Sequence, residues 1–226
     1  PMTAGNALGP QASSASKRVL DIVFSLAGLL VTAPAWILIP LAIKLEDGGA
    51  VFFAQPRVGR GGERFVGWKF RSMRPPDDSG KPPLQAHLEG ERITRVGRVI
   101  RPTALDELPQ LLSILRGHMS LVGPRALAPE ETVGADGSST RVVRLEDVPG
   151  FEERHSIRPG LTGLAQVRAP RDAPHRVRFR YDLLYVRRRT LWLDVKLIAW
   201  SVWTSLAGKW PSAGRGRRIR ARPPRG

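Results

Sequence analysis

A chain of 226 residues with a formal net charge of +16 and no cysteine is long enough for one catalytic domain with a real core and short for two. The missing thiols exclude disulfides, thiolate catalysis and cysteine-ligated zinc, and they suit a reducing compartment. Hydrophobic residues make up 42%, enough for a folded core, and so large a positive charge calls for an anionic partner: nucleic acid, anionic lipid headgroups or a phosphorylated substrate.

Residues 1–16 are rich in Gly, Ala and Ser and read as a disordered tail. Lys17 and Arg18 then precede an apolar run from Val19 to Ile43, interrupted by charge only at Asp21. As a straight helix this run of about 25 residues would be roughly 37 Å long, enough to cross a hydrocarbon core. Three readings compete. A signal peptide would be cleaved near Ala33-Pro34-Ala35, but the apolar run continues through Trp36 to Ile39. A straight transmembrane span is the plain reading. The third places a break at Pro34, with Pro40 beyond it, so that the helix turns back and both ends stay on one side. Basic residues at both ends, Lys17 and Arg18 against Lys44, fit re-entry better than crossing.

Val51–Ala54 and Arg64–Phe70 read as two strands around the Gly-rich turn Arg57–Gly62. Lys69 and Arg71 straddle Phe70, so both face one side while Phe70 packs inward. Residues 75–83 form a surface loop. A basic segment from Arg92 ends at Arg101, five residues before Asp106. Thr103 serves as N-cap of the next helix with Asp106 as its capping-box partner, and Pro109 falls in the early helix. Leu105, Leu108, Leu111, Leu112 and Leu115 form its apolar face, with Asp106 pointing away from that face and Glu107 on its flank. Adjacent acids in a first turn are commonly solvated charges favoured by the helix dipole; here their neighbourhood is strongly basic. Gly117–Arg125 and Arg158–Gly163 are turns of Gly, Pro and Arg, and Arg forks match phosphate oxygens. Residues 128–153 are polar and irregular, with a loop tip at 134–139.

From Val177 to Leu206 the chain is amphipathic again, with Leu191, Trp192, Val195, Ile198, Ala199 and Val202 on one helical face. Trp192, Trp200, Trp203 and Trp210, with Lys196 and Lys209, suit a helix in the headgroup region, against the alternative of ordinary core packing. The tail from Pro211 carries six arginines and no acid, a composition drawn to anionic lipid.

Five ordered motifs carry a resemblance. They are Lys17-Arg18-x-x-Asp21 before the proline-broken run; Gln55-Pro56-Arg57-Val58-Gly59 with Lys69-Phe70-Arg71-Ser72-Met73; Leu105-Asp106-Glu107-Leu108-Pro109-Gln110-Leu111; Ser120-Leu121-Val122-Gly123-Pro124-Arg125; and Arg158-Pro159-Gly160-Leu161-Thr162-Gly163-Leu164-Ala165-Gln166-Val167. Together, over roughly Lys17 to Ser205, they closely resemble the bacterial sugar transferase family, the monotopic phosphoglycosyl transferases, in a small form without a multi-span N-terminal extension. The resemblance implies transfer of a sugar 1-phosphate from a UDP-sugar to a polyprenyl phosphate, releasing UMP. Asp106 matches the nucleophile of a covalent phosphosugar intermediate, and Glu107 its partner in a dyad linked to Mg²⁺. Arg101, Arg125 and Arg158 match phosphate-holding positions, with Lys69 and Arg71 added from the strand, and Pro34 matches the break of a re-entrant membrane helix. A carboxylate is a feasible nucleophile at phosphorus, and cations with a metal must neutralise its target.

The chain departs from the family at Ala33, where a Ser is usual, at Arg168-Ala169-Pro170-Arg171-Asp172, where an Asn-Gly-Arg-Asn type sequence is usual, and in a longer 128–153 segment. The expected fold is α+β and mainly helical: a proline-broken re-entrant membrane helix at 17–46, a catalytic domain at 47–207 with a small β-hairpin and amphipathic interfacial helices, and a basic disordered tail at 208–226. The expected partners are a UDP-sugar, a polyprenyl phosphate and the lipids of a bacterial inner membrane, with the catalytic domain on the cytoplasmic face. No nucleic acid is expected, because the basic residues lack an aromatic platform or a recognition helix. The competing function is a non-catalytic basic scaffold at the membrane surface. The sugar, the glycan built from it and the oligomeric state stay open.

Overall fold

The computed structural model describes residues 14–75, 92–129, 133–134, 142–143, 145–169 and 173–207. The loop after Pro75, the loop tip after Gly134, residues 170–172 of the departure and the basic tail lie outside the described residues.

The apolar run forms two helices, α1 (Ser14–Val31) and α2 (Ala35–Asp47). They are bent by 57° at the Thr32–Pro34 turn, and among the described residues no single helix is long and apolar enough to cross a membrane. The straight span is thereby replaced by a bent pair. Pro34 has no amide to continue the α1 ladder. Ala33 brings no hydroxyl to the break, but its neighbour does: Thr32 Oγ1 donates to the Gly28 carbonyl at 2.7 Å. Pro40 lies inside α2 without ending it.

Both ends of this pair are fastened to the same body. Lys17 Nζ donates to Asp194 at 2.7 Å, and Asp194 also accepts from the Tyr185 hydroxyl at 2.6 Å. Arg18 donates to the carbonyls of Ile114 and Leu115 at 2.5 and 2.6 Å, at the helix C-terminus where carbonyls lack intrahelical partners. Asp21 accepts from Ser120 Oγ and the Leu121 amide, both at 2.9 Å. At the far end, Glu46 accepts the amides of Arg95 and Val96 at 2.7 and 3.0 Å, and Asp47 pairs with Arg71. Lys17 and Arg18, read as topology signals, are therefore structural staples, whereas Lys44 reaches only the Gly48 carbonyl at the end of its own helix. Between the two anchorages the helix tips are apolar and bare, with Val31 81% and Ile37 71% exposed.

Next, β1 (Phe52–Val58) and β2 (Arg64–Phe70) pair antiparallel. β1 runs past Ala54 through Pro56, which a two-stranded sheet tolerates because both strands are edges. The register opposes Phe53 to Lys69, Gln55 to Gly67 and Arg57 to Phe65, so Lys69 and Arg57 share a face. The chain continues with α3 (Arg95–Ile100), α4 (Gln110–Leu115), β3 (Ser120–Val122), the short antiparallel pair β4 (Val133–Gly134) and β5 (Val142–Val143), α5 (Phe151–His155), β6 (Gly160–Thr162), α6 (Leu164–Arg168), α7 (His175–Arg188) and α8 (Leu191–Ala207). β3 and β6 pair in parallel, an element the sequence did not announce. The amphipathic stretch is thus two helices.

The main core gathers Leu111 and Ile114 of α4, Leu121 and Val122 of β3, Val167 of α6, Tyr185 and Val186 of α7, and Leu197 of α8. α8 turns Asp194, Leu197 and Thr204 inward while Trp192, Ala199 and Val202 are exposed. Of the stripe picked out by periodicity, Trp192, Ala199 and Val202 therefore face outward, while Leu191, Val195 and Ile198 are half-buried and Ile198 packs on the main core.

Candidate active site

The acid pair does not ride on one continuous helix. Ala104 has φ 57°, the sole positive value at a non-glycine among the described residues; backbone in this region costs energy and clusters at functional sites. Leu105–Glu107 then form a single 3-10 turn closed by the Leu108 amide on the Leu105 carbonyl. Pro109 has no amide to return to Leu105, so helical bonding stops there and α4 starts at Gln110. Thr103 does not cap this turn: its hydroxyl donates back to the Ile100 carbonyl at 3.0 Å. Leu105 and Leu108 pack on a second cluster of Ile39, Ile43, Phe70 and Ile100, which presses the turn into the protein. Asp106 is 8% exposed, not the solvated acid of a first turn.

The two carboxyls titrate apart. Burial pushes Asp106 up to about 6; repulsion from Glu107 adds to this, and Lys69 and Arg101 oppose it. Burial also raises Glu107, but Lys69, Arg125 and Arg57 outweigh it and hold this carboxyl far below its ordinary value, at about 2. Lys69 Nζ donates to Glu107 Oε1 at 2.5 Å. One acid is thus fixed in its ionised form while its neighbour keeps a proton into the weakly acidic range.

A narrow cleft opens beside the pair, lined by Arg57, Lys69, Glu107, Gln110, Arg125 and, from β6, Gly160 and Leu161. It holds about 20 Å³ of free space, room for one water-sized group. Among the described residues no three His, Asp or Glu side chains gather as a metal site.

Glu107, Lys69 and Arg125 come together in this lining; Asp106 does not line the cleft and sits beside Glu107, within reach of the Lys69 and Arg101 charges. Arg101 approaches Asp106 from α3's end, its Nη1 3.3 Å from Ser72 Oγ. Arg71 goes elsewhere, to Asp47, because Lys69 ends the paired face and the chain leaves the hairpin after Phe70. Arg158 contributes its backbone to the β3–β6 junction, and its side chain is not part of the cleft lining. Pro34 acts only through the α1–α2 break. Arg57 and Gln110 belong to the cleft although the sequence reading gave them no site role. Arg57 was hidden by ending the first strand too early; extending it to Val58 puts Arg57 on the face of Lys69. Its Nη1 donates to the Ala126 carbonyl at 3.0 Å and its Nη2 to Gln55 at 2.5 Å.

The two Gly-Pro-Arg turns have a steric origin. The Gly123 amide donates to Thr162 at 2.9 Å and the Gly160 amide to Pro124 at 2.8 Å. A Cβ on Gly160 would overlap the Gly123 amide, and one on Gly123 would meet the Arg158 carbonyl. This contact of backbones sets Arg125 beside Gly160. Arg125 is braced from behind by Arg154, which is 2% exposed. Arg154 donates to the Arg125 carbonyl at 2.6 Å, to Asp182 at 2.8 Å and to His155 Nε2 at 3.0 Å. His155 Nδ1 donates to the Phe151 carbonyl at 2.7 Å, and burial with the nearby Arg154 charge lowers the ring to about 4, keeping it neutral.

A carboxyl pair of split acidity, with Arg57, Lys69, Arg101 and Arg125 around it, is an arrangement chemically suited to phosphate-bearing anions. The chain belongs to the bacterial sugar transferase family, which it matches over residues 12–208. It is 43% identical over 187 residues to the UDP-glucose:undecaprenyl-phosphate glucose-1-phosphate transferase of Caulobacter vibrioides, across 80% of this chain and 66% of that protein. It is 42% identical over 197 residues to the exopolysaccharide production protein PSS of Rhizobium leguminosarum bv. phaseoli, across 84% of this chain and 94% of that protein. The UDP-N-acetylgalactosamine-undecaprenyl-phosphate N-acetylgalactosaminephosphotransferase of Aeromonas hydrophila is 37% identical over 196 residues, across 85% of this chain and 44% of that protein. The chain thus spans just under two thirds of the Caulobacter relative, less than half of the Aeromonas one and nearly all of the Rhizobium one.

Proposed function

We propose that this chain moves a sugar 1-phosphate from a UDP-sugar to a polyprenyl phosphate, releasing UMP, at the cytoplasmic face of a bacterial inner membrane, as the first membrane step of exopolysaccharide or related glycan assembly. The carrying observation is the buried Asp106 beside a Glu107 held ionised by Lys69, Arg125 and Arg57. UDP-glucose is the first candidate donor, because that is the donor in the name of the Caulobacter relative.

In the first half-reaction an Asp106 carboxylate oxygen attacks the phosphorus that carries the sugar. The aspartyl–phosphorus bond forms, the bond to the UMP oxygen breaks, and UMP leaves with that electron pair. In the second, an oxygen of the polyprenyl phosphate attacks the same phosphorus and restores the Asp106 carboxylate. Arg57, Lys69 and Arg125 offset the diphosphate charge, and Arg101 and Lys69 favour the ionised form of Asp106. Two adjacent carboxylates fit Mg²⁺, which is usually held by one or two carboxylates together with substrate phosphates. Bound at Glu107 and Asp106, it would supply Lewis-acid neutralisation of the diphosphate.

The lipid acceptor demands a site at the bilayer surface. α1 and α2 are anchored at both ends to one folded body through Lys17, Arg18 and Asp21, and through Glu46 and Asp47, while their apolar tips are bare. One body cannot lie on both sides of a bilayer, so this tethering supports a re-entrant pair. The exposed Trp192, Trp200, Val202 and Trp203 of α8 support a helix lying in the interface.

The test is a donor-only incubation. Purified protein with UDP-glucose and Mg²⁺, without acceptor, releases UMP up to about one equivalent per chain, and chelation stops it. Absence of UMP across a broad UDP-sugar panel, with tolerance of replacing both acids, would return the scaffold reading.

A further inference from the structure

We infer that the groove between α6 and α8 is a binding site for one anionic phospholipid, with an acyl chain along the trough and the headgroup phosphate on Arg168 and Lys196. The groove encloses about 520 Å³, within the range of small-molecule sites. Leu164, Val167, Leu193, Leu197 and Trp203 make it apolar, and Arg168 and Lys196 are its sole charges. Each cation rests on an indole face: Arg168 lies 5.4 Å from the Trp200 ring centre and Lys196 5.0 Å from that of Trp192. Stacking on an indole leaves the donors at the edge of a guanidinium, or on an ammonium, directed outward to an anion.

The shape and the charges together select the occupant. A free phosphate would leave the trough empty. A nucleotide or sugar would find no polar partner along it. A zwitterionic lipid would fill the trough yet bring its own cation to two positive side chains. An anionic headgroup with an apolar chain satisfies both parts. The groove also opens onto the side of α8 where Trp200, Trp203 and Leu206 are exposed; tryptophans favour the headgroup level. Arg168 begins the segment that departs from the family pattern, and no catalytic role accounts for it. The groove shares no lining residue with the cleft, and the inference goes beyond the transferase reading without needing it.

The test uses the full chain in phosphatidylcholine nanodiscs carrying a minor fraction of lipid brominated on its acyl chain, either phosphatidylglycerol or phosphatidylcholine. Tryptophan quenching is followed as the brominated fraction rises. Half-quenching is expected at about fivefold less phosphatidylglycerol than phosphatidylcholine. The Arg168→Gln/Lys196→Gln pair abolishes that preference. Arg176→Gln/Arg180→Gln, an equal charge loss on the exposed side of α7, keeps it. Ala199→Leu, which fills the groove and leaves both cations, weakens it. Equal quenching by the two lipids, or equal loss of preference in the α7 pair, overturns the inference. Displacement of the brominated lipid by equimolar polyprenyl phosphate but not by unbrominated phosphatidylglycerol also overturns it, assigning the groove to the acceptor's chain. UMP release in the donor-only assay is read separately, so failure here and failure of the transferase reading are distinguishable.

Discussion

Replacing Asp106 by Asn separates the chemistry of the site from its stability. Burial, with repulsion from Glu107, pushes the Asp106 carboxyl up to about 6 in the folded protein against an ordinary value of 3.8. A group whose folded pKa is raised binds its proton more tightly in the folded state, so stability falls as pH climbs from about 4 through about 6. That rise corresponds to about 3 kcal/mol of strain once the carboxylate is ionised in both states. Asparagine keeps the shape and removes the charge. The Asn variant is therefore expected to be more stable than the wild type at pH 8 by up to about 3 kcal/mol, raising Tm by roughly 6–12 °C for a domain of this size. At pH 4 the gain shrinks to near zero. The same variant releases no UMP in the donor-only assay. Paired thermal melts at the two pH values and UMP quantification check both halves. Full activity removes Asp106 from the nucleophile's role, and an Asn variant less stable at pH 8 than the wild type refutes the electrostatic account of its burial.

The wild-type donor half-reaction is expected to rise with pH through about 6, as Asp106 loses its proton; a rate flat from pH 5 to 8 contradicts this. Lys69→Met removes the ammonium 2.5 Å from Glu107, which should lower the UMP-release rate about 10²-fold and cost roughly 1–3 kcal/mol in a denaturant melt. Gly160→Ala forces a Cβ into the Gly123 amide, with an expected loss of about 3 kcal/mol or more and displacement of Arg125; a neutral melt would contradict the close crossing. Arg154→Met leaves Asp182 buried without its guanidinium, costing about 3–5 kcal/mol, and the double change with Asp182→Leu recovers most of it; additive losses in the urea titration would speak against the pair.

The sequence alone determined the order of the elements: a long apolar helix interrupted at Pro34, a hairpin, a mainly helical remainder and two adjacent acids in basic surroundings. These are local matters, set by hydrophobic period, proline chemistry and glycine turns. Resemblance over five motifs located the family, and the match over residues 12–208 bears it out. Tertiary structure decided which charges serve which purpose. Lys17 and Arg18 look like membrane flanks in the sequence but, together with Asp21, hold α1 to α8, α4 and β3. Arg71 and Arg57 are equally basic residues of one hairpin, yet the register sends Arg57 to the cleft and the chain's exit sends Arg71 to Asp47. The burial of Asp106 was not legible at all, because it depends on the stop at Pro109 and on Leu105 and Leu108 packing against residues distant in sequence. Periodicity grouped an apolar face on α8 but not what it meets: Trp192, Ala199 and Val202 are exposed while Ile198 lies against the core, since the inward side of that helix is fixed by Asp194, Leu197 and Thr204 meeting partners from the rest of the fold. A pattern along one chain specifies which side chains share a face; what that face meets is settled only when the other elements arrive.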